Sequence, residues 1–150
     1  VIAVRNLGVD DLPSIVSVER AAQDLPWSDE ALLVELFHAD AAVLGAFVDA
    51  RLAGYVAVRR ILDECWILNI ATHPEVRRRG VGARLIDAAR ARGCVWLSSA
   101  LWLEVRESNA AARSLYERSG LVVVGQRPGY YPPLRPGAPR ETAVLMSRTL

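Results

Sequence analysis

Lysine is absent. All eighteen basic residues of the 150-residue chain are arginine, which excludes a Schiff-base lysine and a phosphate loop of the lysine-dependent kind. Cysteine is scarce: Cys65 and Cys94 stand far apart in apolar surroundings, so two buried free thiols and a reducing compartment are expected, not a disulfide framework. The only histidines, His38 and His73, are equally separated. A zinc site has little to be built from, and no metal is expected. The longest apolar run, 41–48, falls far short of a membrane span. No basic stretch followed by an apolar run opens the sequence, so no signal peptide is read and the expected location is cytoplasmic. A net charge of only +1 supplies no global field for a polyanion, so no direct nucleic-acid partner and no membrane partner is expected. The chain reads as a monomer.

What is present is enough apolar material for a core. Hydrophobic residues make up 52% and charged residues 23%, and the length suits one domain over 1–150. Residues 1–5 predict a short edge strand. Asp10 and Asp11 predict the cap of a helix running to about Gln23, and Ser28 the cap of a second, with Asp29 and Glu30 in its first turn. Strands are predicted at 41–48 and 52–60, joined by a tight turn at 49–51, and a third at 65–72, apolar nearly throughout. A helix is predicted from Gly82 to about Arg92, ending at Gly93 or running on towards Trp96. A buried strand at 100–105 follows, then a short helix capped by Asn109 and closed by Gly120. Strands at 121–127 and 142–148 flank a proline- and glycine-rich loop over 128–141 that is read as irregular. Trp66 and Trp96 read as core, and His38 and His73 as a helix-end and a turn residue.

The most informative stretch is RRRGVGARL, residues 77–85. Glycine permits tight turns and close approach of the backbone to a ligand. The helix that follows presents unpaired N–H groups with partial positive charge behind them. With arginines at the rim this is an anion site, and phosphate is the usual occupant. A dinucleotide fingerprint fails, because Leu85 stands where a third glycine is needed. The bland alternative is a solvated arginine cluster ahead of an ordinary helix.

A second stretch, LWLEVRESNAAARSLYERSG at 101–120, carries candidate chemistry. Strand alternation sends Leu101, Leu103 and Val105 to one face, and Trp102, Glu104 and Arg106 to the other. Glu104 is then a carboxylate in an otherwise apolar strand, where desolvation disfavours the charged form. Its competing reading is an ion pair with Arg106 or Arg113. Tyr116 also reads as an amphipathic core residue, and Asn109 as a plain N-cap.

NIATHPEVRRRGVGARLI, residues 69–86, resembles the acyl-CoA loop of the GCN5-related N-acetyltransferases (GNAT), with the pattern Arg/Gln-x-x-Gly-x-Gly/Ala at 77–82. The resemblance implies an α/β (α+β) single-domain fold whose mixed central sheet is splayed in the middle and flanked by helices. It implies acetyl-CoA as cosubstrate, its pyrophosphate held by the loop of Arg77, Arg78, Arg79, Gly80, Val81, Gly82 and Ala83. The strand end at Asn69, Ile70 and Ala71 would pair with the pantetheine arm and the acetyl carbonyl. The 101–116 segment, with PWS at 26–28 and YYP at 130–132, is similar to one branch of that family, the RimI-type N-terminal acetyltransferases. Those acetylate the N-terminal alanine of the eighteenth small-subunit ribosomal protein, and the likeness covers about 25–148.

By this resemblance Glu104 is the general base, Tyr116 the general acid and Asn109 a coenzyme A contact, while Trp27, Tyr130 and Tyr131 lie along the peptide groove. The implied partner is a ribosomal protein or another peptide N-terminus. Arg77 in place of glutamine, Leu121 in place of phenylalanine, and the proline-rich loop after Tyr131 depart from the pattern. Other protein N-termini or small amines as acceptors, and a non-catalytic acyl-CoA-binding protein, are the open alternatives.

Overall fold

The computed structural model describes residues 1–150. Its frame is one seven-stranded sheet in the order β1-β2-β3-β4-β5-β7-β6. The strands are β1 (Ile2–Asn6), β2 (Ala41–Val48), β3 (Arg51–Ile61), β4 (Glu64–Thr72), β5 (Ala100–Arg106), β6 (Val122–Tyr131) and β7 (Glu141–Thr149). Four helices pack on it: α1 (Leu12–Ala22), α2 (Asp29–Phe37), α3 (Val81–Val95) and α4 (Ala110–Arg118). The mixed sheet expected from the sequence is there. Every neighbouring pair is antiparallel except β4 with β5, which run parallel. A parallel pair requires a crossover, and α3 supplies it.

Strand alternation builds two cores, one on each face. Leu44, Val56, Ile67, Leu101, Leu103 and Met146 pack against Leu85 and Ile86 of α3. Leu7, Val43 and Tyr55 pack against Ile15 and Val18 of α1 and Leu32 of α2. In β5 the alternation is regular: Leu101, Leu103 and Val105 are buried, while the residues between them are only half-buried on the opposite face. Ser28 caps α2 as predicted, its Oγ accepting from the Ala31 N–H at 3.1 Å, a contact worth about 1 kcal/mol.

Four expectations need correction, and one open choice is settled. Asp11 precedes α1, yet its carboxylate turns back to accept from the Gly8 N–H at 2.8 Å and from Arg5. A 3-10 turn, Val9–Asp11, leads into the helix instead. Of the two ends open for α3, the longer holds: the helix runs through Gly93 to Val95. That glycine lies against β4, where a Cβ would stand 2.6 Å from a Leu150 methyl and 3.2 Å from Cys65 Cβ. Residues 128–131 are not irregular loop but the end of β6. The missing proline N–H is tolerated there because β6 is the sheet edge, and the register slips between Arg127 and Tyr131. Cys65 is buried but Cys94 is exposed. Trp66 and Trp96 are half-buried rather than core: Trp66 stacks on Trp102 with centroids 5.6 Å apart, and Trp96 lies under the guanidinium groups of Arg60 and Arg92.

Candidate active site

The sheet opens between its two parallel strands. β4 and β5 pair from Glu64 opposite Ala100 to Ile67 opposite Leu103, and no further. The cause lies on the other side of β4. Val58 of β3 faces Ile67 and the next residue back, Ala57, faces Asn69, so Leu68 is an inserted residue, a β-bulge. The bulge bends β4 away, while β5 stays paired to β7 as far as Arg106 opposite Ala143. The result is a wedge at the carboxyl ends of two parallel strands, the position where sheets of this class receive ligands.

After β4 the chain turns through Pro74–Val76 and the arginine stretch into α3. His73 is a turn residue, as expected, its Nδ1 accepting from the Glu75 N–H. Gly80 takes the N-cap position with φ +84° and offers no side-chain cap. The first intrahelical bond is Arg84 N–H to the Gly80 carbonyl, so the N–H groups of Val81, Gly82 and Ala83 have no partner in the helix. Arg77, Arg78 and Arg79 are exposed, and none of them pairs with a carboxylate. Around Gly80 a Cβ would find no atom within 4 Å. Unpaired amides, uncompensated arginines and open space at one helix end fit a diphosphate.

Gly82 also has a packing role. A Cβ at that position would stand 2.7 Å from Leu115 Cδ2 of α4. Only the flexible end of that half-buried side chain must give way, so Gly82→Val is expected to change stability by less than about 1 kcal/mol, measured by urea denaturation.

On the α1/α2 side of the wedge lies a groove of about 280 Å³ lined by Trp27, Trp66, Ile67, Leu68, Glu104, Tyr130 and Tyr131. The structure thus brings together four residues singled out from the sequence: Trp27, Glu104, Tyr130 and Tyr131. The Glu104 side chain is 17% exposed. Its Oε2 is buried without a hydrogen bond, and the nearest cation is Arg127 Nε at 3.7 Å. Neither partner weighed from the sequence takes it. Arg106 binds Glu141 at 3.2 Å, and Arg113 donates to the Glu107 carbonyl. Tyr130 and Tyr131 meet edge to face, with Arg127 over the first ring and Arg106 over the second. Burial, with Glu104 nearby, pushes the Tyr131 phenol up to about 12.

Tyr116 is placed elsewhere. It is buried in the α3-side core, and its hydroxyl has no protein partner. Burial, then the nearby Tyr131, raises its phenol. Glu104 and Tyr116 therefore lie on opposite faces of the sheet. Asn109 caps α4 through its Oδ1, 3.3 Å from the Ala112 N–H, which leaves Nδ2 as a free donor. The Asn69 carboxamide is occupied internally by Glu19, Tyr55 and Gln23, so only its backbone is available to a ligand. Ala71 is buried under α1, and the Ile70 carbonyl accepts from Gln23 at 3.3 Å. Sequence reasoning missed Arg127, Glu19 and the groove position of Trp66. Only the PWS-like stretch signalled that α1 leads into a groove wall.

The comparisons with known proteins agree with this geometry. The model of the acetyltransferase (GNAT) family matches residues 4–121. A Salmonella typhimurium relative named ribosomal protein bS18-alanine N-acetyltransferase is 36% identical over 94% of this chain and 93% of its own. The crystal structure of the Escherichia coli ribosomal-protein alanine N-acetyltransferase superposes with TM-score 0.90 at 30% identity, covering 99% of this chain and 94% of that one. Arabidopsis thaliana NAA60 in complex with acetyl-CoA shares the fold, with TM-score 0.86 at 18% identity over 100% and 99% of the two chains. No helix of this chain is long and apolar enough to cross a membrane. The bulged, splayed sheet, the arginine-rimmed helix end and the family match lead to one conclusion: this chain belongs to the GNAT family of acetyltransferases.

Proposed function

We propose that this chain transfers the acetyl group of acetyl-CoA to the N-terminal α-amino group of a protein, and that its acceptor is the alanine terminus of ribosomal protein bS18. The observation that carries the reading is the buried, hydrogen-bond-free oxygen of Glu104 at the floor of an aromatic-walled groove. The groove is open, with Trp27 on one wall and Tyr130 and Tyr131 on the other. It suits a peptide lying along it with only its end at Glu104. The acceptor is the one for which the relatives in Salmonella typhimurium and Escherichia coli are named.

Bound acetyl-CoA supplies the activated acetyl thioester. The amides of 81–83 and the rim arginines grip its diphosphate, and Asn109 Nδ2 offers a further donor. The backbone of Asn69, Ile70 and Ala71 lines the wedge along which the acyl arm lies. Glu104 takes a proton from the incoming ammonium, directly or through one water. The neutral nitrogen adds to the acetyl carbonyl, the carbon–sulfur bond breaks, and the thiolate would leave against Tyr116, whose phenol burial keeps protonated. Tyr116 gives the thiolate its proton and takes back the proton that the nitrogen loses as it becomes the amide.

The reading is tested with peptides that begin with alanine against polyamines and aminoglycosides, acetylation being followed by mass spectrometry. Turnover of the peptides is expected; turnover of the small amines alone would overturn the acceptor. Tyr116→Phe is expected to lower kcat by about tenfold to a hundredfold and to leave acetyl-CoA affinity unchanged, since the ring still fills its place in the core. A parallel loss of affinity, read by calorimetry, would make the hydroxyl a binding group instead.

A further inference from the structure

Glu19, on α1, is 1% exposed, and no arginine pairs with it. A carboxylate buried without a cation is costly unless hydrogen bonds compensate. Three do. Its Oε2 accepts from the Trp27 N–H at 2.9 Å and from Asn69 Nδ2 at 3.0 Å, and its Oε1 accepts from the Tyr55 hydroxyl at 2.7 Å. Burial and the adjacent Glu19 drive the Tyr55 phenol far up, so it stays protonated and keeps donating. One turn further along, Gln23 Nε2 donates to Asn69 Oδ1 at 2.9 Å and to the Ile70 carbonyl at 3.3 Å.

These bonds join two parts of the site that belong to different elements. Trp27 is a groove wall in the α1–α2 connection, where its backbone N–H has no helix or strand partner. Asn69 is the first residue past the Leu68 bulge, at the edge of the wedge. Apolar packing alone would hold α1 on the sheet at less cost. It would not fix a loop N–H. We propose that Glu19 is a positioning residue: it clamps the Trp27 wall to the β4 bulge and so fixes the width of the groove that holds the peptide terminus. The inference rests on the acceptor reading of the groove given above.

The test uses the full chain with an alanine-initiated peptide and acetyl-CoA. Glu19→Leu is expected to raise the peptide KM by about tenfold, with kcat changed less than about threefold, because a displaced wall removes contacts that the peptide makes equally in the ground and transition states. Acetyl-CoA affinity stays within about twofold, because the diphosphate grips another part of the chain. Amide hydrogen exchange quickens over 24–28 and not over 64–67. Glu19→Gln keeps an acceptor for the Trp27 N–H and restores the peptide KM to within about threefold of the wild type. Should the leucine variant fail to fold, Glu19→Asp decides, since it keeps the charge but withdraws the carboxylate by about 1.5 Å. Its peptide KM must then rise at least about threefold.

Wild-type peptide turnover with an unchanged peptide KM in the variant that decides, or an equal loss of acetyl-CoA affinity, overturns this inference alone. A wild-type chain that acetylates only small amines overturns the acceptor reading, and this inference with it.

Discussion

Glu104→Gln slows acetylation of an alanine-initiated peptide by about 10²-fold near pH 6.5 and by less than about tenfold near pH 9. The pH dependence follows from the acceptor. A peptide α-amino group has a pKa of about 7.7–8.0, so only a few per cent is neutral near pH 6.5 and most is neutral near pH 9. Glu104 removes the proton that blocks the nitrogen lone pair. When the solvent has already removed it, the amide variant loses little. Glutamine has the same shape and leaves the β5–β7 ladder intact, so acetyl-CoA affinity should not move. The measurement is a kcat/KM profile against pH for both forms with one peptide. A deficit that is constant across pH would assign Glu104 to substrate orientation, and a loss of acetyl-CoA binding would make it structural.

Gly80→Val weakens acetyl-CoA binding by about a hundredfold or more. The side chain meets nothing, since the space around a Cβ at 80 is open within 4 Å. The effect lies in the backbone. Gly80 holds φ +84°, a left-handed conformation that costs a β-branched residue about 1–3 kcal/mol. Relaxation of that strain rotates the turn and swings the first amides of α3 off the diphosphate. Two charge-assisted hydrogen bonds at about 1.5–3 kcal/mol each then account for the fold-change. Gly80→Asn is the control: asparagine tolerates the left-handed region, and its affinity should stay within about threefold of the wild type. Calorimetric titration reads both. Equal affinities for the glycine and valine forms would mean that the diphosphate is not held at this turn.

Much of the fold was legible because periodicity is a local signal. Residues 41–48 are a strand because their apolar run is short and ends at a turn. The Asn109 and Ser28 caps were visible because capping acts across three residues. The errors and the open choices lie where a distant residue decides. Gly93 left two ends open for α3, and only Cys65 and Leu150 reveal that the helix needs a gap there. Pro128 forbids a central strand but not an edge strand, and which strand is the edge depends on the whole sheet order. Gly82 was read for ligand approach alone, and only Leu115 reveals that its missing side chain also makes room for packing. Trp66 looks like core because tryptophan usually is, yet it stacks on Trp102 and lines the groove.

The sequence by itself determined most of the elements, the glycine-turned and arginine-rimmed helix end, and the faces of β5. These follow from spacings of two to four residues, and such spacings survive without knowledge of any partner. Tertiary structure alone decided that β4 parts from β5 at Leu68, that Glu104 and Tyr116 lie on opposite faces of the sheet, and that Glu19 joins groove wall to strand. Each of those depends on contacts between residues far apart in the chain. Register and burial are settled only when the sheet closes around its two cores, so no local pattern encodes them.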